Sequence, residues 1–387
     1  MVGRCSPVWL FAIVCLAGCS QSYKTATDSI EDAQELNGCK AVVESLQYEN
    51  LPALESVDIW RGRYGPGLRI TTAHYEIYTT LLEPLTLRQI PGFMESAYRA
   101  YNRQLPQPIE TTGKLRIYLF ADRQQWEGFT KSFAGEQAEL FYKIKAGAYY
   151  LNGACVTYYI GTRRTLSALG HEGWHQFNNR HFRFCLPSWL DEGIAVLFET
   201  SRYEGGRFYF EPNQNAYRLE GLRETLVSSQ QIPLSELVAM NPGEVLAIDQ
   251  AEAVRAFYSQ AYALVRFLKE ADSGKHADKF RRLIADGLMG EWPLSRTSRK
   301  IAADRNMPRT IEWNRIVGPQ LVKQYISSDI DQLEREYLAF CRQIINNTPL
   351  MAQSHSKGFH TTVRFTLSAP DALLPCTDQL DSALGSK

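Results

Sequence analysis

Residues 165–179 read T-L-S-A-L-G-H-E-G-W-H-Q-F-N-N, and within them His171-Glu172-Gly173-Trp174-His175 forms an H-E-x-x-H pentad. The apolar flanks, Leu166, Ala168 and Leu169 before and Trp174 and Phe177 after, have helical spacing and predict a substantially buried helix. Residues four apart share one face of a helix, so both imidazoles can reach one ion while the intervening glutamate sits beside it. A catalytic zinc site takes three protein ligands and keeps one position for water. The metal lowers the pKa of that water toward about 7, and an adjacent carboxylate can take its proton. The pentad therefore predicts His171 and His175 as zinc ligands and Glu172 as the general base. Three of the chain's seven histidines, His171, His175 and His181, fall within this neighbourhood. His181 is placed in the loop that follows, outside the ligand set.

A second helical pattern covers residues 187–200 (PSWLDEGIAVLFET), after the loop N-R-H-F-R-F-C. Its core, Trp189-Leu190-Asp191-Glu192-Gly193-Ile194-Ala195, together with the pentad, resembles the gluzincin metallopeptidases, the superfamily that includes aminopeptidase N. In those proteins H-E-x-x-H is followed by W-L-N-E-G-x-A, whose glutamate completes the zinc site. Here 16 residues separate His175 from Glu192, a slightly shorter loop. The resemblance implies Glu192 as the third ligand. Pro187 suits a helix start, and Gly193 is expected to let the two motif helices approach closely. Asp191 stands where the family carries Asn. It reads either as a carboxylate that orients a ligand imidazole or as a solvated residue at the helix N-terminus.

The segment Phe257-Tyr258-Ser259-Gln260-Ala261-Tyr262-Ala263-Leu264-Val265 resembles the Y-x-Q-x-W-x-L-V stretch of peptidase-MA-like proteins, and Tyr258 is the candidate donor to an oxyanion. A core tyrosine at helical spacing with Tyr262 is the competing reading. The wider resemblance, from about His74 to Ile345, is to the peptidase-MA-like domain of bacterial exported proteins rather than to aminopeptidase N itself. The amine-gripping G-x-M-E-N motif of aminopeptidases has no credible copy, because Gly92-Phe93-Met94-Glu95-Ser96 lies far upstream of the pentad in a predicted helix.

Outward from the motifs, strands gather before residue 165. They are expected over 68–79 (LRITTAHYEIYT, a strand or hairpin), 114–120 (KLRIYLF), and 146–150 with 154–160 around the turn signal Asn152-Gly153. Helices are expected over 88–105 and 123–133. After the motifs, a hairpin is expected at 203–210 and helices over 216–228, 233–240, 251–270, 275–287 and 330–345. A further strand is possible at 361–367. The layout is α+β: a mixed or antiparallel sheet and an active-site helix, followed by a mainly helical C-terminal part. The resemblance implies that it is zincin-like.

The N-terminus carries Arg4, an apolar run over 8–17 (VWLFAIVCLA), then Leu16-Ala17-Gly18-Cys19 and the polar SQS. The run is shorter than the roughly 20 residues a spanning helix needs, and it fits a secretory signal. The L-A-G-C ending resembles the bacterial lipobox, which implies acylation of Cys19. Each buried acyl methylene contributes about 0.8 kcal/mol, so several chains would anchor the protein stably. Ser20 after the cysteine favours the outer membrane. The expected organisation is a signal peptide over 1–18, a flexible tether over 19–40, the peptidase-MA-like domain over 41–350 and a polar extension over 351–387.

Lys plus Arg and Asp plus Glu balance at 42 each, which removes the basic excess expected of a nucleic-acid binder. The mature chain has five cysteines, Cys39, Cys155, Cys185, Cys341 and Cys376, so one is left over from any set of pairs; Cys341 and Cys376 are candidates to pair. Cys185 reads as structural. Together these features predict a lipid-anchored periplasmic zinc peptidase acting on a peptide or peptide-containing polymer of the envelope. A zinc-fold scaffold without turnover and a zinc hydrolase of a non-peptide amide are the alternatives.

Overall fold

The computed structural model describes residues 26–144, 147–241, 244, 251–304 and 311–347. Cys19, Cys376, the signal segment and the strand expected at 361–367 lie outside the described residues. The fold is α+β. A six-stranded mixed sheet has the order β1-β2-β3-β4-β6-β5, built from β1 (Ser56–Gly62), β2 (Gly65–Thr71), β3 (Tyr75–Thr79), β4 (Leu115–Phe120), β5 (Ala148–Leu151) and β6 (Ala154–Tyr158). β1, β2 and β3 run as an antiparallel meander, β4 is parallel to both β3 and β6, and β5 returns antiparallel along β6 as the outer strand. The Asn152-Gly153 turn that joins β5 to β6 has φ of 48° and 78°, the left-handed pair a two-residue hairpin requires.

β4 shows why the sheet is covered on both faces. Leu115, Ile117 and Leu119 enter the main core, whereas Tyr118 and Phe120 point the opposite way into a second, aromatic-rich core with Trp126, Phe129, Phe141 and Tyr149. That second core is closed by α3 (Arg123–Ala134) and the short α4 (Ala138–Tyr142). On the main-core side lie α1 (Ala26–Tyr48), against β1 and β2, together with α2 (Pro84–Asn102) and α5 (Thr162–His181). α2 starts at Pro84, and the Glu83 carboxylate caps it by accepting from the amides of Leu85 and Thr86.

Beyond α5 come α6 (Ser188–Ala195), a 3-10 turn (Val196–Phe198), and the hairpin of β7 (Ser201–Glu204) and β8 (Arg207–Phe210). α7 (Ala216–Val227), α8 (Leu234–Leu237), α9 (Ala251–Glu270), α10 (Ala277–Met289), α11 (Arg296–Ala303), α12 (Ile311–Leu321) and α13 (Ile330–Asn346) complete the helical part. Its buried side chains join the main core without a break. Among the described residues no helix is long and apolar enough to cross a membrane.

Expectations change at two elements of the fold. Residues 26–40, expected as flexible tether, belong to α1, which buries Cys39 and Leu46 against the sheet. The single helix expected over 187–200 is an eight-residue α-helix that tightens into the 3-10 turn. β1, α4, α11 and α12 are elements the sequence patterns did not reveal.

Candidate metal centre

Two close approaches set the site. A Cβ at Gly170 would collide with the carbonyl oxygen of Phe198, so this glycine lets α5 lie directly on the 3-10 turn, and the carbonyl of Gly170 accepts from the Tyr101 hydroxyl at 2.7 Å. At Gly193 a Cβ would stand 2.6 Å from both the carbonyl oxygen of Ala261 and Cγ2 of Val265. The close approach that Gly193 permits is thus between α6 and α9, not between the two motif helices. It brings Tyr258, one turn before Ala261, to the centre. α6 itself begins after Pro187, whose carbonyl accepts from the amides of Leu190 and Asp191, both at 3.0 Å.

His171, Glu172, His175 and Glu192 are 2–4% exposed. Oε2 of Glu192 lies 3.3 Å from Nε2 of His171 and 3.6 Å from Nε2 of His175. One donor atom from each of these three residues falls within 4.8 Å of the other two. Two atoms sharing a tetrahedral zinc at about 2.0–2.1 Å stand about 3.3–3.4 Å apart, so the triad has the dimensions of three corners of one coordination sphere. The chemistry of the set agrees: Nε2 of His175 and Oε2 of Glu172 are buried and make no hydrogen bond among the described residues. The group can hold a metal ion.

Each imidazole has a second carboxylate beside its far nitrogen. Nδ1 of His171 lies 3.1 Å from Oε1 of Glu199, and Nδ1 of His175 lies 3.2 Å from Oδ1 of Asp191. Asp191 also accepts from Nε1 of Trp174 and Nδ2 of Asn178, each at 2.9 Å. Glu199 accepts from Nδ2 of Asn215 at 2.9 Å and from both ends of the Arg218 fork, Nε at 2.9 Å and Nη2 at 2.6 Å. Of the two readings of Asp191, the solvated one fails, since this residue is 1% exposed and stands beside the His175 imidazole.

The charges follow from this packing. Burial opposes a charge on His171, yet Glu192 and Glu199 outweigh it and raise its pKa to about 9. His175 is likewise disfavoured by burial but held well above the usual imidazole range by Asp191 and Glu192. Burial alone would push Glu192 up, but His175 and His171 pull it well below the carboxylate range. Glu199, buried against Arg218 and His171, is pulled down to about 2. Glu172 differs: burial dominates over the two imidazoles and lifts its carboxyl to about 8. A carboxyl whose pKa lies near neutrality can exchange a proton in either direction, and its Oε2 makes no hydrogen bond among the described residues.

The remaining candidates sort cleanly. Tyr258, 1% exposed, has its ring 6.4 Å from that of His171 and lies under the Arg218 guanidinium, whose Cζ is 5.1 Å from the phenol ring. His181, expected in the following loop, is instead the last residue of α5, and it stays outside the cluster with Nε2 2.8 Å from Oγ1 of Thr111. Cys185 is buried and does not belong to the three-residue cluster, its amide bonded to the carbonyl of Ala302. Glu95, in the segment superficially like the amine grip, ties α2 to the turn before β3. It accepts from Oγ1 of Thr72 at 2.7 Å and from the His74 amide at 2.9 Å. Sequence reasoning missed Glu199 and Arg218. The α-helix of Glu192 ends at Ala195 and tightens into the 3-10 turn before Glu199, so helical spacing from Glu192 gave no signal for it.

No protein-family profile matches the chain, and no curated protein matches it.

Proposed function

We propose that the protein is a zinc-dependent peptidase of the gluzincin type, with a zincin-like core formed by the sheet, α5 and α6, and held at the bacterial outer membrane by acylated Cys19. One observation carries the reading: His171, His175 and Glu192 converge from two helices, with a buried, raised-pKa Glu172 between the two histidines in sequence. His171 and His175 through Nε2 and Glu192 through Oε2 would hold the ion. Bound there, zinc supplies a Lewis acid that brings a water's pKa toward about 7. Glu172 receives that water's proton at its carboxylate and passes it to the departing amine. Tyr258 donates its hydroxyl to the carbonyl oxygen as negative charge develops there. β5, paired among the described residues with β6 alone and packed against α5, supplies the edge along which an extended peptide adds as a strand.

A second reading is favoured by the burial. With all four central side chains 2–4% exposed, the arrangement also suits a metal-stabilised envelope scaffold without turnover. The two part on Glu172, which a scaffold does not need. The test is zinc content and cleavage of a peptide library by wild-type, His175→Ala and Glu172→Gln protein. The peptidase reading expects about one zinc per chain, lost in His175→Ala and retained in Glu172→Gln, with cleavage only by the wild type. Folded wild-type protein that takes up no zinc overturns it, and zinc uptake with no cleavage and full cellular function of Glu172→Gln selects the scaffold.

A further inference from the structure

We infer that Arg218 is a positioning residue shared by the two halves of the site, fixing the His171 imidazole through Glu199 and the Tyr258 phenol through its own guanidinium face. Its role toward Tyr258 rests on the metallopeptidase reading; its role toward His171 requires only that the site bind metal.

A guanidinium that is 2% exposed is costly to desolvate, and apolar residues of the same size fill such space more readily. Arg218 is therefore informative for what it reaches. Its Nε and Nη2 bind the two oxygens of Glu199 separately, a fork that fixes the plane of the carboxylate. Asn215 completes the frame from the start of the same helix. Its Oδ1 accepts from the Arg218 amide at 3.3 Å, and its Nδ2 donates to Oε2 of Glu199 at 2.9 Å. Donors from Asn215 and Arg218 already occupy both oxygens of Glu199, so its contact with Nδ1 turns the His171 ring with Nε2, the other nitrogen, toward Glu192.

The other face of the guanidinium serves α9. Cζ of Arg218 lies 5.1 Å from the Tyr258 ring centroid and 5.2 Å from that of Tyr217, which follows Asn215 by two positions. The Tyr258 ring is in turn 6.4 Å from that of His171. Arg218, Glu199, His171 and Tyr258 thus close a ring of contacts drawn from α7, the end of the 3-10 turn, α5 and α9. A lysine offers one point charge, with neither the fork nor the planar face, so it cannot replace both functions.

The test uses the full chain with zinc as the probe. Zinc affinity is measured by competition with a chromophoric chelator, and cleavage of a fluorogenic peptide library is measured at saturating zinc. Arg218→Lys is expected to weaken zinc binding about 10- to 100-fold, as does Glu199→Gln, and the double variant to be no weaker than the weaker single within about twofold. At saturating zinc, Arg218→Lys and Tyr258→Phe are each expected to slow cleavage, and their combination to add nothing. Circular dichroism reports folding. If Arg218→Lys does not fold, the Glu199→Gln/Arg218→Met pair, which leaves no buried charge alone, takes its place with the same expected loss of zinc affinity. Wild-type zinc affinity in either folded variant overturns the inference while leaving the metallopeptidase reading intact. Wild-type protein that binds no zinc overturns both. Additive effects of Arg218→Lys and Tyr258→Phe on cleavage overturn the Tyr258 half alone.

Discussion

Nδ1 of His175 stands 3.2 Å from Oδ1 of Asp191, while Nε2 of the same ring faces Glu192 at 3.6 Å, so two adjacent residues of α6 address the imidazole from opposite sides. Asp191 carries no donor atom of the triad, and under the proposed metal-binding reading it orients His175 so that Nε2 faces the ion. Asp191→Asn keeps an oxygen for Trp174 and Asn178 and loses only the charge. Zinc affinity is expected to fall about 10-fold, at the low end for such partners. Asp191→Ala leaves two buried donors, on Trp174 and Asn178, without their acceptor and removes the carboxylate beside Nδ1 of His175. It is expected to lose at least about 1–3 kcal/mol in urea unfolding besides weakening zinc further.

Gly193→Ala tests the contact that brings Tyr258 to the site. The new methyl would meet the Ala261 carbonyl and Val265 at 2.6 Å, and a backbone oxygen inside a helix cannot turn aside. α6 and α9 must separate, at an expected cost of about 1–3 kcal/mol in denaturant unfolding. Cleavage is expected to fall more than zinc content, because Glu192 stays on α6 while Tyr258 moves with α9.

The pentad was legible because its chemistry and its geometry are both local: four residues of helix fix how His171 and His175 relate. Glu192 needed a second motif, and Tyr258 a third. Glu199 and Arg218 were not legible, because their approach to His171 depends on α6 tightening into a 3-10 turn and on a helix beyond the β7–β8 hairpin. No periodicity encodes either. Gly193 was read as a close-packing glycine but assigned the wrong neighbour, since sequence adjacency pointed to α5 and the carbonyl it meets is 68 residues on, at Ala261. β4 was plain from LRIYLF, whose apolar side chains go to both cores. β1, SVDIWRG, is half-exposed along an edge and carries Asp58 and Arg61 among its apolar residues, so it lacks a clean alternation.

His181 supplies a pH signature away from the metal centre. Burial, reinforced by the Arg180 charge, lowers its pKa to about 4, so the folded ring stays neutral and bonded to Thr111 while the unfolded ring protonates near its ordinary value of about 6.5. Between those two values the unfolded chain binds more protons. Stability therefore falls as the pH drops through this window and levels off below about 4. The ring is partly solvated, so the slope is shallow. Urea unfolding across pH 4 to 7 is expected to show a smaller acid loss in His181→Gln than in wild type; equal losses would remove His181 as its source.

Glu172→Gln separates catalysis from architecture. The amide is nearly isosteric and neutral, at a buried position where desolvation already disfavours the carboxylate and where Oε2 has no hydrogen-bond partner among the described residues. Loss of the charge removes nothing the fold relies on, so unfolding stability is expected to equal or exceed that of the wild type. Zinc content is expected to be unchanged, because the donors are His171, His175 and Glu192. Cleavage is expected to fall by about 10²- to 10⁴-fold, the range for removing a positioned base. A Glu172→Gln protein that unfolds, or that loses its zinc, would make Glu172 part of the framework instead, and the proton would have to leave by another group.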